Sequence, residues 1–168
     1  VGNFVVYHDG APVLIDVGVE TYTAKTFSGR RYEIWTMQSA FHNLPTINGF
    51  MQKDGREFAA KDVRYQADDR IAELALDIAP AYPKEAGVKT WNRTLLLERG
   101  KRVVVRDRFD LEKAEAPPAW SFLTVHRPSH TGPGRIALEA AGPAGGTNAA
   151  SLLFDATRLE AVIEPIPG

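Results

Sequence analysis

RTLLLERGKRVVVRDRF, residues 93–109, is the stretch that decides the fold class. Two runs rich in leucine and valine, residues 93–98 and 103–109, flank the dipeptide Arg99-Gly100. β-Branched and aromatic side chains favour strands, and glycine tolerates the positive φ of a tight hairpin turn. The stretch therefore predicts an antiparallel hairpin with one buried face.

The same pattern of strands and turns continues in both directions from this hairpin. In ELALDI, residues 73–78, apolar side chains alternate with polar or small ones, which is the period of a half-buried strand. Turn signals that tolerate positive φ separate such runs. They are Asp9-Gly10, Ser28-Gly29, Asn48-Gly49, Asp54-Gly55, Arg99-Gly100 and the looser 132–134 and 142–146.

The remaining strand-like runs complete the predicted fold. They are residues 3–7, 12–17, 31–37, 57–66, 120–126, 135–139, 151–154 and 159–164. Residues 79–87, with two prolines, predict a shaped loop or a short helical turn, and residues 114–119 predict a linker. About a dozen short strands are too many for one open sheet. We therefore predict an all-β fold, an antiparallel two-sheet (or multi-layer) β-sandwich.

Composition and charge exclude several classes of function. The 168 residues are the length of one domain, and a net charge of -1 gives no basic field for nucleic acid. The absence of cysteine excludes disulfides, iron–sulfur clusters and thiolate zinc sites. No apolar run reaches the roughly 18 residues that span a membrane. Because both ends interrupt strand-like sequence, we expect residues 1–168 to be a single β-sheet domain of a longer protein.

One of the four histidines stands out. His8 adjoins a turn, and His126 and His130 flank Pro128, where exposed or hydrogen-bonding roles are the usual ones. His42 instead follows Gln38 and precedes Asn43, polar uncharged residues that are suited to orienting an imidazole ring. His42 is therefore the candidate functional histidine.

Asp16 is the candidate partner carboxylate. It ends the apolar run PVLID, and period-two alternation gives it the same facing as Leu14, towards the interior or a cleft. A buried carboxylate without a partner costs several kcal/mol or takes up a proton. Asp16 should therefore have a cation, a metal or backbone donors beside it. Pairing with Arg30 or Arg31 and ligation of a metal both remain open.

The ordered set of these residues resembles the β-sheet domain of heparinase II/III-like polysaccharide lyases over about the first 110 residues. The resemblance rests on a composite pattern rather than on any single residue. It consists of Gly2-Asn-Phe, Gly10-Ala-Pro-Val-Leu-Ile-Asp16-x-Gly18, Tyr22, Arg31-Tyr32, Ser39-x-x-His42-Asn43, Asn48-Gly49, Gln52, Ala81-Tyr-Pro, Ala86-Gly87, Trp91-x-Arg93 and Asp107-x-Phe109.

The resemblance implies a fold and an activity for the longer protein. Similar proteins carry an N-terminal α/α toroid before the β domain, with the substrate cleft between the two. They cleave acidic polysaccharides by β-elimination, in which a base removes the uronate C5 proton and a neutralised carboxylate stabilises the enolate. Most of the catalytic groups come from the helical domain. The resemblance therefore assigns no catalytic residue to this chain and leaves the isolated domain inactive.

The resemblance also implies a structural zinc ion. Its aspartate matches Asp16 and one of its histidines matches His42, while the other histidine would lie before Val1. Asn43 and Gln38 would then hold the loop around His42. Such a site would tie the strand at Asp16 to the chain at His42.

Tyr22 and Arg31 are the candidate substrate-binding residues, because a phenol and a guanidinium can grip carboxylated or sulfated sugars. Arg30 is as well explained by pairing with Glu33, and Tyr32 by packing in the core. Core packing is also the simpler interpretation of Trp35, Trp91 and Trp120.

We therefore expect one wall of the uronate-binding cleft of a bacterial lyase. Its partners would be an acidic polysaccharide and the helical domain of the same protein, in the periplasm or outside the cell, with no nucleic acid and no membrane. Two alternatives predict different behaviour. A non-catalytic carbohydrate-binding module would bind glycans through exposed tryptophans, and a purely structural sandwich would bind neither metal nor sugar.

Overall fold

The computed structural model describes residues 1–139 and 150–166, and within them it shows eleven strands, all paired antiparallel, and no α-helix. The all-β prediction is confirmed. The strands are β1 Val6–His8, β2 Ala11–Leu14, β3 Pro45–Thr46, β4 Lys61–Ala67, β5 Ile71–Asp77, β6 Val88–Glu98, β7 Arg102–Leu111, β8 Ala119–Trp120, β9 Arg127–Gly132, β10 Arg135–Glu139 and β11 Ala150–Leu153.

The chain forms two compact units. The first comprises residues 1–4 and 16–122, and the second comprises residues 5–15 and those from 123 onwards. The expectation of one domain from a longer protein stays a prediction.

A four-stranded sheet in the order β4-β5-β6-β7 is the scaffold of the first unit. The hairpin β6–β7, at one edge of this sheet, pairs Glu98 with Arg102 at the turn and Trp91 with Phe109 near the other end. The turn residue Gly100 has φ +70°, as the opening motif predicts. The hairpin at residues 93–109 is therefore confirmed, and both strands extend beyond it.

The core of the first unit lies against one face of this sheet. Trp91 is fully buried, stacks on Phe109 at 4.4 Å between ring centroids and contacts Trp120 at 5.6 Å. Core packing of Trp91 is thus confirmed. The predicted break at residues 79–87 folds as two 3₁₀ turns, Ala79–Ala81 and Lys84–Ala86, whose alanines belong to the same core.

Short connections complete this unit. β3 pairs with β8, and the Asn48-Gly49 turn closes a tight bridge between Ile47 and Phe50. Asn48 has φ +49°, and its side-chain amide donates to the carbonyls of Ala86 and Lys113, both at 2.9 Å. The turn residue therefore also fixes two distant segments.

The second unit contains a hairpin, β1–β2, and a three-stranded sheet in the order β11-β10-β9. His126 accompanies the hairpin, since its Nε2 lies 2.9 Å from the carbonyl of Pro12. Asp9 and Gly10 both have positive φ, as the predicted turn requires. The turn signal at residues 142–146 lies outside the described residues.

Several predicted strand positions are wrong. Residues 31–37 form 3₁₀ turns, Arg31–Glu33 and Trp35–Met37, because their backbone amides bond three residues back rather than to a partner strand. Residues 159–164 form no strand, and in 120–126 only Trp120 belongs to one. β9 was missed because Pro128 appeared to end a strand; β9 is an edge strand, where proline is tolerated.

Candidate functional site

Asp16 and His42 lie together in the first unit. Oδ2 of Asp16 is 3.1 Å from Nδ1 of His42, although 26 residues separate them in sequence. The Asp16 side chain is 39% exposed and that of His42 19%. The site is therefore open to solvent on the carboxylate side, and the pair predicted from sequence is assembled.

Asp16 is oriented by two further donors. The Asn3 side-chain amide donates to Oδ2 at 2.7 Å, and the Gly18 backbone amide donates to Oδ1 at 2.8 Å. β2 ends at Leu14, so strand alternation does not set the direction of the Asp16 side chain, which is partly exposed beside His42 rather than in the interior. The backbone donor that was expected is present, whereas neither Arg30 nor Arg31 is its partner.

Asn43 is linked to Asp16 through Asn3. It is fully buried; its backbone amide donates to Oδ1 of Asn3 at 3.0 Å, and its side chain donates to the carbonyl of Phe4 at 2.7 Å. Because Asn3 also bonds Asp16, a continuous chain of hydrogen bonds runs from Asn43 through Asn3 to the carboxylate.

Arg93 joins the two segments that carry this network. Its guanidinium donates to the carbonyls of Gly2 at 3.1 Å and Asn43 at 2.9 Å, and pairs in a bidentate manner with Asp107 at 2.9 and 2.8 Å. Gly2 has φ +79°, and a Cβ there would lie 3.0 Å from Ile78. The N-terminal segment is therefore packed tightly against the sheet at the residue before Asn3.

A pocket of about 280 Å³ opens beside His42. Ser39 lies at its wall and accepts the backbone amide of Gln52 at 2.9 Å. The pocket has a cation, a phenol and amides on its surface, which suits a polar ligand. It is lined by Val1, Asn3, Tyr32, Met37, Ser39, His42, Leu44, Gln52, Lys53 and Asp54.

The sequence profile of the family described as Heparinase II/III-like, C-terminal, matches residues 1–154. The chain belongs to this family. The match includes Asn3, Asp16, His42 and Arg93. The comparison with curated proteins found no match. Among the residues that the structure describes, no helix is long and apolar enough to cross a membrane.

Gln38 lies in the run of 3₁₀ turns that leads to His42 in the heparinase II/III-like domain. Its side-chain amide donates to the carbonyl of Tyr32 at 3.0 Å, and its backbone carbonyl accepts the amide of Phe41. These bonds brace the loop before His42, and the predicted role of Gln38 at a metal site stays a prediction.

Tyr22 and Arg31 lie on an exposed segment of the domain. Tyr22 is 62% exposed and packs on Phe27 at 5.7 Å between centroids, and the Arg31 guanidinium lies 5.5 Å from the centre of the Tyr32 ring. Neither lines the pocket beside His42, whereas Tyr32, interpreted from sequence as a core residue, does. Arg30 pairs with Glu33 at 2.9 Å, within one turn instead of across strands.

Sequence reasoning did not assign four residues that line the candidate site: Asn3, Tyr32, Gln52 and Lys53. Asn3 and Gln52 stood in the composite pattern without a role, Tyr32 was interpreted as a core residue, and Lys53 gave no signal. Across residues 1–139 and 150–166, no group of three or more histidine, aspartate or glutamate side chains is placed to hold a metal ion. Asp16 and His42 form a pair, not a closed set.

Proposed function

We propose that this domain forms one wall of the cleft of a lyase that cleaves uronate-containing polysaccharide by β-elimination, and that Asp16 and His42 hold a structural zinc ion. The observation that carries the proposal is the family match over residues 1–154, which includes an assembled Asp16–His42 pair. The partners that it implies are the acidic polysaccharide and the α/α toroid of the same protein.

The spacing of the pair fits zinc. A tetrahedral zinc ion bonded at about 2.0–2.1 Å to two ligand atoms holds them about 3.3 Å apart. Asp16 Oδ2 and His42 Nδ1 are 3.1 Å apart. The resemblance places the remaining histidine ligand before Val1. When bound, the ion would supply a cross-link between two chain segments, and Asn3 would fix the carboxylate that holds it.

The pocket beside His42 supports sugar binding. Lys53 offers a cation and Tyr32 a phenol, the groups that recognise a carboxylate and a sugar hydroxyl. Tyr22 and Arg31, on the exposed segment, would contact the polysaccharide farther along the polymer from the pocket. In the proteins that the chain resembles, most of the catalytic groups come from the helical domain, so this domain would bind and orient the polymer. A periplasmic or extracellular location suits such a polymer substrate.

The competing binding-module hypothesis depends on exposed tryptophans. Trp91 is fully buried, and Trp120 and Trp35 are both partly buried. Trp35 packs edge-on against Phe41 at 5.2 Å. No observation therefore favours that hypothesis over the lyase wall.

Zinc content tests the proposal. The chain extended upstream by about 20 residues, to include the missing ligand, should contain nearly one zinc per chain by elemental analysis. Asp16→Ala and His42→Ala should each abolish it. His8→Ala, which removes an exposed histidine at the end of β1, is the matched control and should retain the metal.

The opposite result would be equally clear. A folded extended chain without zinc, or zinc retained in both Asp16→Ala and His42→Ala, would refute the metal site and leave an ion-paired carboxylate. Lyase activity is tested separately on the parent protein with its helical domain, by the ultraviolet absorbance of the unsaturated product on alginate and heparin.

A further inference from the structure

Three arginines on the four-stranded sheet have no partner in the structure. Within the described residues, no hydrogen bond or ion pair engages the guanidinium groups of Arg64, Arg106 and Arg108, and all three residues are exposed. By contrast, Arg93 and Arg102 in the same sheet pair with Asp107 and Glu98.

The register places these three arginines on one face. Arg64 pairs with Ala75, Ala75 with Thr94, and Thr94 with Arg106, and residues directly opposite each other in an antiparallel sheet share a face. Arg108 lies two residues beyond Arg106 and so has the same facing. Arg93 and Trp91, which are buried, face the opposite way. The arginines therefore lie on the side away from the core.

The acidic residues of this face are already engaged. Glu98 pairs with Arg102 at 2.8 Å, Asp110 with Lys89 at 3.5 Å, and Asp77 with Lys61 at 3.4 Å. Glu73 accepts a hydrogen bond from Gln66 at 3.1 Å. Of these four carboxylates, Glu73 has no cation partner among the described residues. The three unpaired guanidinium groups therefore outnumber the unpaired carboxylate, and the face has a local excess of positive charge.

The spacing suits an extended polyanion. Three strand-to-strand steps put Arg64 and Arg106 about 14 Å apart, and Arg106 and Arg108 are about 7 Å apart along β7. Thr94 and the exposed Asn92 lie between them on the same face and can bond sugar hydroxyls. Guanidinium groups bind carboxylate and sulfate through paired N–H donors.

We propose that this arginine face, defined by Arg64, Arg106, Arg108, Asn92 and Thr94, is a second binding surface for acidic polysaccharide, separate from the pocket beside His42. The choice of polysaccharide rests on the proposed function. It is also favoured over nucleic acid by the net charge of -1, which provides no general attraction for a phosphate backbone. The surface would hold a second stretch of the polymer while the cleft binds the first.

Binding of alginate and heparin to the 168-residue chain tests the surface, with neutral dextran and duplex DNA as comparison probes. The double variant Arg106→Gln/Arg108→Gln should bind the acidic glycans about tenfold more weakly or worse, because each charged hydrogen bond contributes substantially. The matched control, Arg30→Gln/Arg102→Gln, removes the same charge from arginines that are already paired and should bind as the unchanged chain does.

Three results would overturn the inference: equal loss in both double variants, no loss in either, or DNA bound more tightly than the glycans. Circular dichroism of each variant should match that of the unchanged chain, because the substituted arginines are exposed. Asp16→Ala separates this inference from the proposed function, since glycan binding at the arginine face should persist in that variant. Binding lost in Arg106→Gln/Arg108→Gln but kept in Asp16→Ala supports the face, whatever the zinc content.

Discussion

Arg93–Asp107 and Arg30–Glu33 have nearly the same geometry in two different regions of the first unit. Each guanidinium donates through Nε and Nη2 to its carboxylate, with distances between 2.8 and 3.1 Å. The side chains of the first pair are 0% and 4% exposed, and those of the second 73% and 51%. The same pair of groups is therefore seen once out of contact with solvent and once exposed to it.

The buried pair also makes more hydrogen bonds to the rest of the first unit than the exposed pair does. Arg93 bonds the carbonyls of Gly2 and Asn43, and Asp107 accepts the indole N–H of Trp120 at 2.6 Å. Within the described residues, Glu33 has one further partner besides Arg30, which is Lys25 at 3.2 Å. Removing one partner of the buried pair leaves an uncompensated charge in the core, whereas water replaces a lost partner at the surface. The two pairs should therefore respond very differently to substitution.

Asp107→Ala should produce the largest effect. It leaves the Arg93 charge and the Trp120 N–H unpaired inside the first unit, so we expect the free energy of unfolding to fall by about 3–5 kcal/mol. Urea denaturation measures it. Asp110→Ala, on the same strand but exposed beside Lys89, is the control and should lose about 1 kcal/mol or less. Equal losses in the two variants would contradict the role of burial.

Asn43→Ala should give an intermediate effect, because Asn43 is buried but uncharged. The variant leaves the carbonyl of Phe4 without the amide donor, which should reduce stability by about 1–3 kcal/mol. Asn43→Asp, similar in size, loses the same amide donor and buries a carboxylate as well, and should be worse. A neutral outcome for Asn43→Ala by thermal denaturation would show that the bond to Phe4 contributes little and that the bonds from Arg93 to Gly2 and from Gln52 to Val1 suffice to hold the N-terminal segment.

Glu33→Gln should have the smallest effect and the clearest dependence on pH. Hydrogen bonds from Arg30 and Lys25 lower the pKa of Glu33 from 4.5 to about 2. Because the pKa is depressed in the folded state, the pair stabilises the fold above pH 4.5 and loses that contribution as the pH falls towards 2.

The urea midpoint of the unchanged chain should therefore converge with that of Glu33→Gln as the pH falls through this window. Added salt should reduce the difference between the two urea midpoints even at neutral pH, because exposed charges are screened. A difference that survives both acid and salt would mean that Glu33 acts by packing rather than by charge.

The sequence predicted the hairpin at residues 93–109 well, because alternation and a glycine turn are local signals. It failed at residues 31–37, where the polar Arg31 and Glu33 alternate with the apolar Tyr32 and Ile34 as in a strand. A strand also needs a partner, and here the backbone amides of Arg31, Glu33, Ile34 and Met37 bond three residues back instead. The apparent period of two was therefore coincidental.

The candidate site shows the same limit at longer range. The resemblance picked out Asp16 and His42, and the structure brings them together. The bonds that fix them, from Asn3 to Asp16 and from Arg93 to the carbonyls of Gly2 and Asn43, join residues 13 to 91 positions apart. No local pattern encodes such pairs, so Arg93 could be named in the motif without its role being visible.

The turn at Arg99–Lys101 has a consequence for the order in which the chain folds. Strands β6 and β7 are joined by three residues, so their pairing closes a very short loop at little entropic cost. The contact between Asp16 and His42 closes a loop of 26 residues with no strand inside it. The hairpin is thus the natural nucleus, and its central amides should exchange hydrogen for deuterium most slowly. The site that carries the proposed function would form late in folding, on a sheet already in place.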